Sequence, residues 1–244
     1  MGQAVLHLSA DPRMLPMTNS DRGIGYMADD IYDLAKRAAK IATATFANAL
    51  DDFDLAECIL PTIKAVAPGM TFAGPAVTVR ESVGERGTFT SADFKVGAMI
   101  DAAGAGDVIV VAGGGANVST WGGMASFAAK KKGVAGLLAD IGVRDLEEMI
   151  EFQFPVCARH MTPLTGRTRL RIEAINEPVE VDGVAVEPGD LIVADGTGVV
   201  VLPAARAAEI IDNAERYSAD DAAAIKDLDA GMTFTEAMAK YTRI

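Results

Sequence analysis

One stretch constrains the architecture of this chain more than any other: VIVVAGGGANVSTWGGMASFAAKKKGVAGLLADIGVRD, running from Val108 to Asp145. Two apolar runs, Val108 to Ala112 and Val134 to Ala139, have the length and composition of buried strands and each abuts a glycine. Gly113 to Gly115 reads as a turn needing positive φ, followed by a loop to Trp121. The spacing of Met124, Phe127 and Ala128 predicts a helix that begins near Gly122-Gly123. Strand, helix and strand in succession build an α/β sheet, in which ligands collect at strand carboxyl ends and helix N-termini. The second strand is expected to end at Asp140, with Arg144-Asp145 just beyond it, so an active site is expected here.

The flanking regions set the rest of the plan. Residues 1–27 carry prolines and glycines without a sustained period and read as an extended arm. Ile31, Leu34, Ala38 and Ile41 lie on one helical stripe, and helix or turn continues to Leu50. Thr71 to Val79 reads as a strand with a bulge or edge at Gly74-Pro75, and Ser91 to Ala103 as a helix. Leu146 to Phe154 predicts a short helix with Asp145 near its N-cap, and Pro155 to Ala158 a brief strand. From Arg169 to Pro203 strands follow one another through turns at Asp182-Gly183, Pro188-Gly189 and Asp195-Gly196, which excludes a plain Rossmann sheet. An Ala-rich helix covers Ala204 to Tyr217, and Ser218/Asp221 and Thr233/Glu236 resemble capping boxes. The division is an arm (1–27), an α/β domain (28–203) and a helical tail (204–244) that packs on the body or on a neighbouring subunit.

Composition narrows the function classes. Lys plus Arg number 22 against 34 Asp plus Glu, and the net charge of −12 argues against general binding to nucleic-acid phosphates. Two cysteines, Cys58 and Cys157, make no disulfide framework, and no run reaches the roughly 18 apolar residues of a spanning helix. With no basic n-region before a long apolar core, the expected location is the cytoplasm, with no membrane association.

Several residue groups could carry chemistry, and each has a plainer reading. Gly113 to Val118 starts like a dinucleotide fingerprint, but Val118 stands where its third glycine should be. Gly122, Gly123, Met124 and Ala125 can present helix N-terminal amides to a carboxylate, or simply pack a helix start. Arg144 offers a fork for a carboxylate and Asp145 an oxygen ligand for Mg²⁺; the plainer reading is an N-cap Asp beside a solvated Arg. Asp140 either orients that pair or closes a turn. His7 and His160 lack metal-ligand spacing, Cys157 reads as a core thiol, and Ser119 and Ser126 have no histidine base nearby in sequence. Lys130 to Lys132 read as a solvated helix end.

The blocks GGG, Trp121-Gly122, GVAG at 133–136, Asp140-x-x-x-Arg144-Asp145, PVCAR at 155–159 and VDGVAVEPGDLIVADGTGVVVLP at 181–203 together resemble the RraA-like family. The resemblance runs from about Ile41 to Tyr241. That family contains class II 4-hydroxy-4-methyl-2-oxoglutarate aldolases and protein inhibitors of ribonuclease E, and was long mislabelled as menaquinone methyltransferases. The resemblance implies a swivelling β/β/α sandwich that forms a homotrimer or a dimer of trimers, with sites at subunit interfaces. It implies a divalent-metal-dependent aldolase or decarboxylase that forms pyruvate from a 2-keto dicarboxylic acid. Arg144 would bind carboxylate, Asp145 would hold Mg²⁺ or Mn²⁺, and residues 122–125 would bind substrate. The other implied reading is a non-catalytic regulator of an RNA-processing enzyme. Two positions depart from the family pattern: Gly123 replaces a usual acidic residue and Ile141 a usual glycine. Glu215, Asp220 and Asp221 are candidates for an acid supplied by a neighbour's C-terminal helix.

Overall fold

The structure, a computed structural model, describes residues 30–241. The expected N-terminal arm and His7 lie outside the described residues. Helices α1 (Ile31–Ala38) and α2 (Thr43–Asp51) come first, then the short strands β1 (Ile59–Leu60) and β2 (Lys64–Ala65) and the long β3 (Phe72–Val83). The centre holds α3 (Val96–Ala102), β4 (Val108–Trp121), α4 (Gly123–Lys132), β5 (Gly136–Val143), α5 (Leu146–Glu151) and β6 (Val156–Met161). Five short strands follow: β7 (Leu170–Ile175), β8 (Val179–Val181), β9 (Val184–Val186), β10 (Leu191–Ala194) and β11 (Val199–Leu202). Helices α6 (Ala207–Asp229) and α7 (Phe234–Lys240) close the chain.

The main sheet runs β1-β11-β10-β3-β4-β5-β6-β2, with β7 added to β3, and β8 and β9 form a separate hairpin. Its middle, β3-β4-β5-β6, is parallel, because helices α3, α4 and α5 supply the crossovers. Gly74-Pro75 mark neither an edge nor a bulge. They end the part of β3 that pairs antiparallel with β10, and from Ala76 onward β3 pairs parallel with β4.

Alternation along the strands explains the layers. Ile109, Val111, Leu137 and Ala139 point into a core shared with α3 to α5, whereas Val108, Val110 and Leu138 point into a second core. That second core is closed by Ile192, Ala194, Val199 and Val201 and by the valines of the β8–β9 hairpin. The opposite faces of β10 and β11, with Leu191, Val193, Val200 and Leu202, bury against α1, α2 and the first half of α6. Two β-layers thus lie between helical layers, and runs such as VIVV are apolar throughout because both faces are covered.

Several boundaries depart from the sequence expectation. The residues 91–95 stay out of α3 because Asp93 accepts hydrogen bonds from the amide and hydroxyl of Thr90 (2.7 and 2.6 Å), a local alternative to helix. Ser218 and Asp221 lie inside α6, not at a cap, because the Ala-rich sequence carries that helix on to Asp229. The Thr233/Glu236 box is present, with both reciprocal hydrogen bonds at the start of α7. The tail packs on its own body through Ala207, Ile210, Ile211 and Ala214. Among the described residues no helix is long and apolar enough to cross a membrane.

Candidate active site

The site is built where β4 and β5 end side by side. Gly114 and Gly115 do take positive φ (62° and 75°), but the chain does not turn away there as expected. It stays beside β5 through three register shifts and reaches Trp121 opposite Val143. β5 likewise runs past Asp140 to Val143, so Arg144 and Asp145 leave the strand directly beside Gly122. The Arg144 amide donates to the Trp121 carbonyl (3.0 Å), which joins the two strand ends. Trp121 is fully buried, stacked on Phe154 with centroids 5.8 Å apart. Its indole N–H donates to Ser126 Oγ (2.9 Å), and Ser126 Oγ donates to the Gly122 carbonyl (3.1 Å). Ser119 Oγ donates to the Trp121 carbonyl (2.8 Å), so both serines hold the turn and neither is a free nucleophile.

Over this turn the predicted site residues converge. Asp145 adopts the left-handed conformation (φ 63°). It stands at the N-cap position yet makes no capping bond; instead its Oδ2 accepts from the Gly123 amide at the start of α4 (3.1 Å). Arg144 Nε lies 3.5 Å from the same oxygen. A side chain on Gly122 would strike Asp145 Oδ2 and crowd Arg144, so in glycine's absence the carboxylate would have to move. Gly123 has the same property toward a different partner: a Cβ there would overlap the Glu148 carboxylate. The amides of Met124 and Ala125 belong to the first turn of α4, where no intrahelical acceptor exists. Arg144, Asp145, Gly122 and Gly123 therefore meet in one notch, with Met124 and Ala125 following in the first turn of α4. Glu148 belongs to the notch as well and was not anticipated.

The notch suits a hard divalent cation. The half-exposed Asp145 side chain uses Oδ2 for both its contacts and has no partner for Oδ1 among the described residues, and one carboxylate completed by water and ligand oxygens is the usual Mg²⁺ arrangement. Among the described residues no group of three or more His, Cys, Asp or Glu is placed to hold a metal ion. A hollow of about 310 Å³ lies between residues 67–71 and 149–155 and contains neither Arg144 nor Asp145. Size does not single out the notch; its chemistry does.

Comparisons with known proteins give the family and the fold. The sequence model described as Aldolase/RraA, RraA-like, matches residues 43–201. The chain belongs to the RraA-like family. An uncharacterized protein of Methanocaldococcus jannaschii is 41% identical over 58% of this chain and 65% of its own length. A Halalkalibacterium halodurans protein, provisionally named a 4-hydroxy-4-methyl-2-oxoglutarate aldolase, is 31% identical over 78% of this chain and 86% of its own. The crystal structure of Streptomyces coelicolor RraAS2, described as an unusual member of the RNase ES inhibitor RraA protein family, superposes with a TM-score of 0.68. It is 27% identical, and the match covers 85% of this chain and all of that one. The two-layered sheet with outer helices is therefore the RraA fold.

The remaining candidates of this RraA-like chain have structural duties. Asp140 neither orients Arg144 nor closes a turn. It is buried inside β5, where it pairs with Arg159 of β6 and accepts from the Asp182 amide (3.3 Å). Arg159 also reaches Asp182 (2.5 Å) and Thr62 (2.9 Å). Burial would raise the Asp182 carboxyl, but hydrogen bonds from Thr62, Ile63 and Arg159 outweigh it and hold the carboxyl below its ordinary value. The Ile141 side chain packs into the space left by Gly113. His160 shares a hydrogen bond with the Gly115 carbonyl (2.9 Å), and burial pushes the Cys157 thiol up to about 12, which keeps it inert. Lys132 caps the carbonyls of Ile100 and Asp101 at the end of α3 (2.8 Å each). Glu215 is engaged within its own chain by Arg37 (2.9 Å).

Proposed function

We propose that this protein is a divalent-metal-dependent carbon–carbon lyase that forms pyruvate from a small 2-keto acid bearing a second carboxylate. The observation that carries the reading is the convergence of a carboxylate-binding fork, a hard oxygen ligand and helix N-terminal amides on side-chain-free Gly122. In this reading the Arg144 guanidinium anchors the C1 carboxylate in a two-pronged contact. The amides of Met124 and Ala125, reinforced by the α4 dipole, face the oxygens on which negative charge grows. Asp145 holds Mg²⁺ or Mn²⁺, which when bound supplies positive charge beside the developing enolate. Gly122 keeps the floor open so that these groups address one ligand. The names of relatives support an aldolase, and the open notch is consistent with a homotrimer or dimer of trimers that closes the site with a neighbouring subunit.

The test is pyruvate release from oxaloacetate and from 4-hydroxy-2-keto diacids with Mg²⁺, Mn²⁺ or EDTA. Release that requires metal and disappears in Asp145→Ala is expected. Folded protein that releases nothing from any of these acids would refute the lyase. If it then retained a ribonuclease in a pull-down, it would be a binding regulator of the kind named for the Streptomyces coelicolor relative.

A further inference from the structure

Cleavage of a 4-hydroxy-2-keto acid needs one group that removes a proton from the C4 hydroxyl and returns one to C3. Arg144 cannot act, since a guanidinium stays protonated throughout the useful pH range. Asp145 is committed to the Gly123 amide and to the cation. The serines at this turn are consumed in holding Trp121 and Gly122. His160 sits on β6 and is occupied by the Gly115 carbonyl.

One titratable group in the notch remains. Glu148, in the first turn of α5, is exposed and its side chain has no hydrogen-bond or ion-pair partner among the described residues. Its carboxylate rests against the Gly123 α-carbon, filling the volume that any side chain at position 123 would need. Asp145 Oδ2 touches the amide of that same glycine, which brackets the two carboxylates within about 7 Å of each other. A small keto acid held by Arg144 and Asp145 therefore lies within reach of Glu148. The plainer role, an acidic residue complementing the dipole of α5, accounts for a Glu in this turn but not for the side-chain-free position across from it.

Resting on the lyase reading, we infer that Glu148 is the proton carrier of this site, its carboxylate supplied from α5 across Gly123. Glu148 takes the C4 hydroxyl proton and the C3–C4 bond breaks. The hydroxyl oxygen becomes the carbonyl of the departing fragment, and the bond pair becomes the pyruvate enolate. Glu148 then returns the same proton to C3, giving pyruvate. Decarboxylation of oxaloacetate reaches that enolate by loss of CO₂ and needs no proton removed first.

The experiment compares the metal-loaded wild type with Glu148→Gln, which keeps the shape and removes the proton-accepting charge. Three rates are measured: cleavage of 4-hydroxy-2-keto diacids, exchange of pyruvate C3 protons in D₂O, and oxaloacetate decarboxylation. Cleavage and exchange are expected to fall about 10²- to 10⁴-fold, and decarboxylation by a far smaller factor. Equal loss in all three, or undiminished cleavage and exchange, would overturn the assignment of Glu148 while leaving the lyase intact. A wild type inert toward every acid would instead overturn the lyase reading, and Glu148 with it.

Discussion

Strand β5 and the residues just past its end place two carboxylates in very different surroundings. Asp140, within the strand, is buried and saturated: Arg159 and the Asp182 amide take its oxygens, and Arg159 goes on to Asp182 and Thr62. Asp145, just past the strand end, is half-exposed, has one amide contact and a loose approach from Arg144, and faces an unpartnered Glu148. The first arrangement leaves nothing for a ligand to complete. The second leaves carboxylate oxygens without a protein partner among the described residues. The two lie five residues apart and both pair an Asp with an Arg, so residue type does not separate the two kinds of surroundings. Saturation does.

The sharpest way to break this contrast is Asp145→Ala. Loss of a cation's charge stabilisation is worth several kcal/mol, so turnover should fall by about 10³-fold or more. Stability should change by less than about 1 kcal/mol, since the side chain is half-exposed and makes one hydrogen bond. Steady-state rates with and without metal, beside urea unfolding, read both quantities. A variant that unfolds early with turnover preserved would mean that Asp145 is the structural carboxylate.

Arg159→Met should do the reverse. It leaves Asp140 buried without its counter-charge, which costs roughly 3 to 5 kcal/mol of stability. Below the new melting temperature, metal-dependent turnover should persist, because Arg159 is not among the groups that meet at Gly122. If turnover vanished in still-folded protein, the two regions would be one coupled site.

Glu81 supplies a third combination, buried yet unsaturated. Its Oε1 accepts from Thr120 Oγ1 (2.8 Å), and its Oε2 has no partner among the described residues. Burial raises its carboxyl to about 7, against the lowering effect of the Thr120 hydrogen bond. The unfolded chain releases this proton near the ordinary 4.5, while the folded chain keeps it until about 7. Over that interval the folded state binds more protons, so its stability is full below the lower value and falls as pH rises to the upper one. At pH 8 the loss amounts to about 3 kcal/mol. Glu81→Gln should recover most of it at pH 8 and little at pH 4. Urea unfolding at both pH values checks the slope, and an unchanged slope would mean that Glu81 is already ionised in the fold.

How much of this was legible in the sequence follows the same division. Strand runs such as VIVV could be read because burial on both faces makes every residue apolar. The turn of the β8–β9 hairpin could be read because Gly183 takes the positive φ (83°) that residues with a side chain disfavour, whereas Gly189 (φ 91°) joins β9 to β10 of the other sheet and closes no hairpin. Trp121, Gly122, Arg144 and Asp145 were visible because each sits at the junction of a strand and a helix. Asp140 was misread since its partner, 19 residues away, lies on the next strand, and no local pattern records that contact. Glu148 was missed for a similar reason. Gly123 shows only that a side chain is absent, and what fills the space comes from another helix. The glycines at 113–115 predicted a departure from the sheet, whereas they let β4 slip its register and stay beside β5.

The last combination, exposed but saturated, is the capping box of α7. Thr233 Oγ1 accepts from the Glu236 amide (3.3 Å), and the Glu236 carboxylate accepts from the Thr233 amide (2.9 Å). Both groups would find water if the box were broken, so the net gain is small, unlike that of Arg159. Thr233→Ala should cost about 1 kcal/mol. The loss should appear as faster amide exchange confined to α7, because that helix buries little besides Ala237 while Phe234 and Met238 stay exposed. Exchange that quickened across α6 and the sheet as well would show that α7 anchors the tail, and that saturation at the surface carries more weight than its solvent exposure predicts.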